Sequence, residues 1–193
     1  LSSCRGSLIF TGGKYKLIID AAGTAVQTFD EDNIVGNYDV PLGSKDFKAN
    51  RVRAGFFNKE RDFQGDFAVI ESGTFRTADN NLVLERAIEL PFTTDKARAR
   101  MIATINMKQS RQSMVLKFTT TIVGLRAEVG DIIFVKLESL GFETLNSNAG
   151  KRFRVQSMNL KNNDEVDIVA QEYDADVYDF GSISASDTAP NTD

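Results

Sequence analysis

The sequence predicts an α+β fold, mostly antiparallel β of the β-barrel or sandwich kind, with one flanking helix. Three observations carry this. Apolar and polar residues alternate with period two in several segments, Gly, Asn and Asp cluster between them, and one long stretch alone has helical spacing without Gly or Pro. The 193 residues are enough for one β-rich domain or two small ones, and 41% hydrophobic with 26% charged residues is ordinary for a globular chain.

The opening RGSLIFTGGKYKLIID reads as a hairpin, with Leu8–Phe10 and Tyr15–Ile19 as its strands and Gly12-Gly13 as its turn. A phosphate loop would require a glycine five residues before Gly13, where Leu8 stands. Residues 21–50 are rich in Gly, Asp and Asn and carry Pro41 and Gly43, so loops with short strands near 25–29 and 34–40 are expected. NRVRAGFFN then alternates, with Val52, Ala54 and Phe56 to one side and Arg51 and Arg53 to the other. The arginines read as a solvated strand face rather than a phosphate contact. FAVIES is a further strand, ADNN at 78–81 a turn, and LVLERAIEL extended.

The helix lies in PFTTDKARARMIATINMKQSRQ, over about residues 94–111, with Thr93 or Thr94 as N-cap and Asp95 in the first turn, where its charge favours the helix dipole. Ala97, Met101, Ile102 and Ile105 form the stripe expected to face the core. Ala99, Ala103 and Met107 form a second stripe. It reads either as alanine chosen for helix propensity or as a candidate interface with another domain or subunit. Downstream, SMVLKFTTT alternates, Gly130-Asp131 turns into the apolar run Ile132–Val135, and GFETLNSNAGK is a loop. KRFRVQSMNL and EVDIVAQEY flank Lys161–Asp164 as the clearest hairpin. The organisation expected is a β-rich subdomain over 1–90, a helix with β-hairpins over 91–180, and a linker or disordered end over 181–193, which has almost no apolar content. The start at Leu1 and the polar end suggest a piece of a longer polypeptide.

The chain has no His and no Trp, and Cys4 is its one cysteine. That excludes a histidine relay, a His-ligated zinc site and an intramolecular disulfide within these residues, and it makes Cys4 a small apolar residue rather than a nucleophile. A net charge of −4 argues against sequence-specific nucleic-acid binding, though DNA can pass an acidic wall without adhering. No apolar run approaches the roughly eighteen residues of a membrane helix, and no signal peptide is apparent at the start. The stretch QEYDADVYD (171–179) gathers Glu172, Asp174, Asp176 and Asp179. As a calcium loop it fails after two ligands, because Tyr178 and Asp179 occupy the fifth and sixth positions and Ala185 the twelfth. It reads instead as a polar strand exit anchored by Tyr173 and Tyr178. No catalytic, cofactor or metal residues are nominated.

The order Leu125, Gly130-Asp131, then Lys151–Val155, then Gln171–Asp179 resembles the hub region of phage tail tip proteins, the attachment or host-specificity proteins of lambda-like siphophages, prophages and gene-transfer agents. CRGSLIFTGGKY, EDNIVG (31–36), NRVRAGFFNKERDFQ (50–64) and the helix before SRQSMVLKF agree with it, so the likeness runs over most of residues 4–180. The resemblance implies tube-like β-barrel domains, a homotrimer in the virion at the tail tip, contacts with tube and distal tail proteins, and a structural rather than enzymatic role. That role joins the tube to host-recognition modules, in host attachment and DNA passage. The alternatives are a receptor- or carbohydrate-binding module, or a cell-wall glycosidase.

Overall fold

A computed structural model describes residues 5–11, 13–41 and 48–179. The expectations for Cys4, Gly12, Gly43 and the 181–193 tail lie outside them. The strands in chain order are β1 (Gly6–Thr11), β2 (Lys14–Ile19), β3 (Ala25–Phe29), β4 (Ile34–Asp39), β5 (Arg51–Asn58), β6 (Gln64–Glu71), β7 (Glu85–Leu90), β8 (Val115–Thr121), β9 (Ile132–Val135), β10 (Lys151–Leu160) and β11 (Glu165–Glu172). The helices are α1 (Gly73–Ala78), α2 (Lys96–Gln109) and α3, a single turn at Leu145–Asn148 in which Asn146 and Ser147 are left-handed. The α+β, mostly strand architecture is as the alternation predicts.

The chain forms two compact units. One comprises the described residues of 1–20, 48–111 and 176–193; the other those of 21–47 and 112–175. The single cut expected near residue 90 is therefore corrected: both units are built from separated segments. Sequence pairing across long intervals, rather than composition, sets this division.

In the second unit six strands form a mixed sheet in the order β3-β9-β10-β11-β8-β4, with β3–β9 parallel and the other pairs antiparallel. Alternation supplies its core: Leu116 and Phe118 from β8, Phe153 and Val155 from β10, and Val166, Ile168 and Ala170 from β11 all turn to one side, where they meet Phe29, Ile133 and Val135. The rings of Phe29 and Phe118 meet edge to face with centroids 5.3 Å apart. Their strands stand first and fifth in the sheet, so a flat sheet would hold them about 19 Å apart. The contact requires the sheet to curl into a half-barrel. A bulge at Gln156, between Val155 and Ser157, breaks the β10–β11 register and adds local twist.

The first unit holds the β1–β2 hairpin and a three-stranded sheet in the order β6-β5-β7, with β5–β6 antiparallel and β5–β7 parallel. Val52, Ala54, Phe56, Ala68 and Leu90 line one face, and α2 covers it. Asp95, in extended conformation, is the true N-cap of α2: its Oδ1 accepts from the Arg98 N–H at 3.0 Å. The expected Thr93 or Thr94 yields to it because Thr93 is drawn into backbone pairing, its carbonyl accepting from the Phe57 N–H.

Candidate functional site

The Ala99, Ala103 and Met107 stripe is not on the surface. All three are buried in the first unit's own core, against Ala49, Val52, Ala54 and Phe56. Small side chains do admit a close backbone there, as expected of the stripe, but the backbone belongs to β5 of the same unit. Ala97 is exposed and Met101 only half-buried, so the core face of α2 is rotated toward the alanines, with Ile102 and Ile105 shared between the two readings. An interface formed by this stripe is corrected by that packing.

The acidic stretch is built as an anchor. The Tyr173 hydroxyl accepts from the Gly23 N–H at 3.0 Å, and the Arg154 guanidinium lies 4.9 Å from the Tyr173 ring centre. Glu172 pairs with Lys151 at 2.6 Å. In the first unit the Tyr178 hydroxyl donates to Asp20, whose carboxylate also takes Arg5 and, at 2.8 Å, the Gln109 amide. Lys108 donates to the carbonyls of Asp176, at 2.9 Å, and of Asp179. Among the described residues no group of three or more Asp, Glu, Cys or His could hold a metal ion.

A buried polar knot that sequence reading missed fixes the segment between β6 and β7. Asn50 is fully buried. Its amide donates to Asp79 at 2.9 Å and to the Leu82 carbonyl at 2.8 Å, and its oxygen accepts from the Leu84 N–H at 2.9 Å. Arg111 reaches both Asp79 oxygens, at 2.9 and 2.6 Å, donates to the Phe75 carbonyl at 3.1 Å, and lies 4.6 Å from the Phe75 ring centre. The Arg111 hydrogen bonds are the main reason that the Asp79 carboxyl is held below its ordinary range, and Asn50 adds to them. Ser110 closes the knot by accepting from the Ala49 N–H and donating to the Met107 carbonyl. The only signal in the sequence was a polar residue opening an apolar strand.

Among the described residues, two strand faces of the first unit carry exposed large side chains. The β1–β2 register sets Leu8 opposite Leu17 and Gly6 opposite Ile19, which puts Leu8, Tyr15, Leu17 and Ile19 on one side of the hairpin. Each is more than half exposed. The β5–β6 register likewise sets Arg53 opposite Val69 and Gly55 opposite Phe67, on the side away from α2. There Phe57, Phe67 and Val69 are exposed, and the Arg53 guanidinium sits 3.7 Å over the Phe67 ring. At the turn joining these strands Asp62 and Phe63 are both left-handed, and the Phe63 ring is 62% exposed. A bulky residue at positive φ is strained, and here the strain presents an aromatic ring to solvent.

One unit is a curled, strand-rich sheet and the other a helix-backed sheet with exposed apolar side chains among its described residues. The chain belongs to the phage tail family Phage-tail_3 ("Putative phage tail protein"), whose model matches residues 1–157. Its fold is similar to a chain in the virion of a native gene transfer agent particle, with a TM-score of 0.65 at 15% identity over 81% of this chain and 33% of that one. It is also similar to the 43 kDa tail protein of prophage MuSo2 from Shewanella oneidensis, with a TM-score of 0.56 at 12% identity over 90% of this chain and 52% of that one. This chain thus spans a third of one neighbour and about half of the other. No curated protein matches it by sequence. No helix among the described residues is long and apolar enough to cross a membrane.

Proposed function

We propose that this chain is a module of a phage tail tip hub, a structural part that joins the tail tube to host-recognition modules and works as a homotrimer beside tube and distal tail proteins. The observation that carries the reading is the family match over residues 1–157, supported by the fold likeness to a chain of a gene transfer agent virion. The architecture suits the role. Strands held by register and a dense apolar core transmit load without a moving part, and the acidic stretch serves to pin chain segments through Tyr173 and Tyr178. A net charge of −4 lets DNA pass without adhering.

The test is electron microscopy of intact particles labelled with an antibody raised against this chain. Label confined to the distal end of the tail is expected. Label along the tube or on the capsid, or particles that carry none of the protein, refutes the hub role.

A further inference from the structure

We propose that the β1–β2 hairpin and the segment Asp176–Asp179 form one latch, closed at Asp20, that opens as a unit while α2 and its sheet stay folded. A displacement of the chain beyond Asp179 thereby frees the hairpin. The inference stands on contacts within the first unit and does not depend on the hub reading.

Apolar packing does little to hold this hairpin. Its strands pair only with each other, and among the described residues neither contributes to a buried apolar cluster. Along β2 every side chain is exposed except that of Ile18, which is half-buried. A two-stranded hairpin with no third strand or helix against a buried face is marginal in water.

The ties at its base are polar. The Asp20 N–H donates to the Arg5 carbonyl at 2.9 Å and closes the two strands. The Asp20 carboxylate takes Arg5, the Gln109 amide at the end of α2 at 2.8 Å, and the Tyr178 hydroxyl. The Arg5 guanidinium also lies 5.2 Å from the Tyr178 ring centre. The segment that carries Tyr178 is fastened to the same end of α2, where Lys108 donates to the Asp176 carbonyl at 2.9 Å and to the Asp179 carbonyl. Of the three parties only α2 is built into an apolar cluster, through Ala99, Ile102, Ala103 and Met107. It is the post to which the other two are tied.

Hairpin and strap therefore share their fastening. When Tyr178 leaves, the Arg5–Asp20 pair loses a donor and a ring; when the hairpin leaves, Tyr178 loses its acceptor. Whatever loosens one must loosen the other by the same factor. Residues 180–193 follow Asp179, so a pull from that side acts first on the Lys108 contacts and then on Tyr178.

The experiment is native-state hydrogen exchange on the 193-residue chain, read residue by residue in NMR spectra. The β1–β2 amides and the Asp179 N–H, which donates to the Asp176 carbonyl at 3.2 Å, should exchange through one common opening, faster than the α2 amides. Tyr178→Phe should speed exchange throughout the hairpin about tenfold and leave α2 unchanged, because it removes one hydrogen bond to a carboxylate. Lys108→Met, which loosens the strap alone, should act in the same direction and serves if Tyr178→Phe does not fold. The reciprocal variant is Gly13→Ala. Gly13 has φ +77° and open space around an added Cβ, so the substitution strains only the hairpin turn. It should speed exchange at Asp179 about fivefold. Hairpin rates unchanged by Tyr178→Phe and Lys108→Met overturn the latch, and so do strap rates unchanged by Gly13→Ala. Hairpin amides that exchange only together with those of α2 also overturn it, since the hairpin then opens only when the whole unit unfolds.

Discussion

Asn50→Ala tests whether the buried knot holds the first unit together. The substitution removes two donors and one acceptor that serve Asp79, the Leu82 carbonyl and the Leu84 N–H. A neutral hydrogen bond contributes about 1 kcal/mol net and one to a carboxylate about 2 kcal/mol, so the loss should be about 4 kcal/mol if nothing replaces them. Water entering the vacated volume recovers part of this, which puts the expected cost at about 3 kcal/mol. For a chain of this size that lowers the melting temperature by roughly 6–12 °C. Urea titration followed by circular dichroism reads the change as a shift in midpoint. Asn50→Asp supplies an internal control. It sets a second carboxylate against Asp79, so its cost should shrink as the pair takes up a proton below about pH 5. A loss under about 1 kcal/mol for Asn50→Ala, or a pH-independent cost for Asn50→Asp, would show that the knot is incidental and that α2 packing alone holds the unit.

Ala103→Glu should abolish folding of the first unit or lower its stability by more than about 3 kcal/mol, because the carboxylate is forced into the packing between α2 and β5; unchanged melting would return the stripe to the surface. Gly150→Ala should cost more than about 2 kcal/mol. Its φ is +104°, and an added Cβ would lie 2.5 Å from the Val135 carbonyl oxygen. Gly55→Ala should cost under about 1 kcal/mol, since the Cβ meets only the end of the Glu89 side chain, which can swing away. Equal losses in thermal melts would contradict this. Asp79 also predicts an acid limb. Its folded carboxyl is held below the unfolded value, so its contribution is complete above about pH 4 and fades as pH falls through the lowered folded value. Asp79→Asn should therefore be less stable than the parent at pH 7, with the gap closing toward pH 2 in melting curves; a constant gap would mean that shape, not charge, is responsible.

Local signals were legible wherever they repeated. The β10–β11 hairpin announces itself because Phe153 and Val155 answer Val166, Ile168 and Ala170 across a four-residue turn. The helix is legible and so are Ile102 and Ile105 on its inward face, but the bulk of Met101 points to the wrong side, because a sheet at close range selects the small Ala99 and Ala103. The cap turned on one carboxylate reaching the Arg98 N–H, which two neighbouring threonines could equally have suggested. GTFRTA, as α1, is too short for a period to show. The parallel pairs β3–β9 and β5–β7 and the Asn50–Asp79 bond join residues far apart in the chain, and no local pattern encodes such partners. The same holds for the two units, whose borders no change in composition marks.

That interleaving dictates an order of events on the ribosome. Residues 51–109 contain a sheet, its covering helix and nearly all of their mutual contacts, so this body can close soon after it emerges. Strand β3 is finished at Phe29, yet its partner β9 begins only at Ile132, and β4 must wait for β8. Two strands with unpaired backbone groups thus wait while a completed body grows behind them, during the interval when newly made chains are most prone to join the wrong neighbour. The charged and turn-forming run Asp30–Asn33 between them, with Asp30 holding Asn33 in a tight local loop, gives that waiting pair a polar, self-closed tip rather than a continuous sticky ribbon.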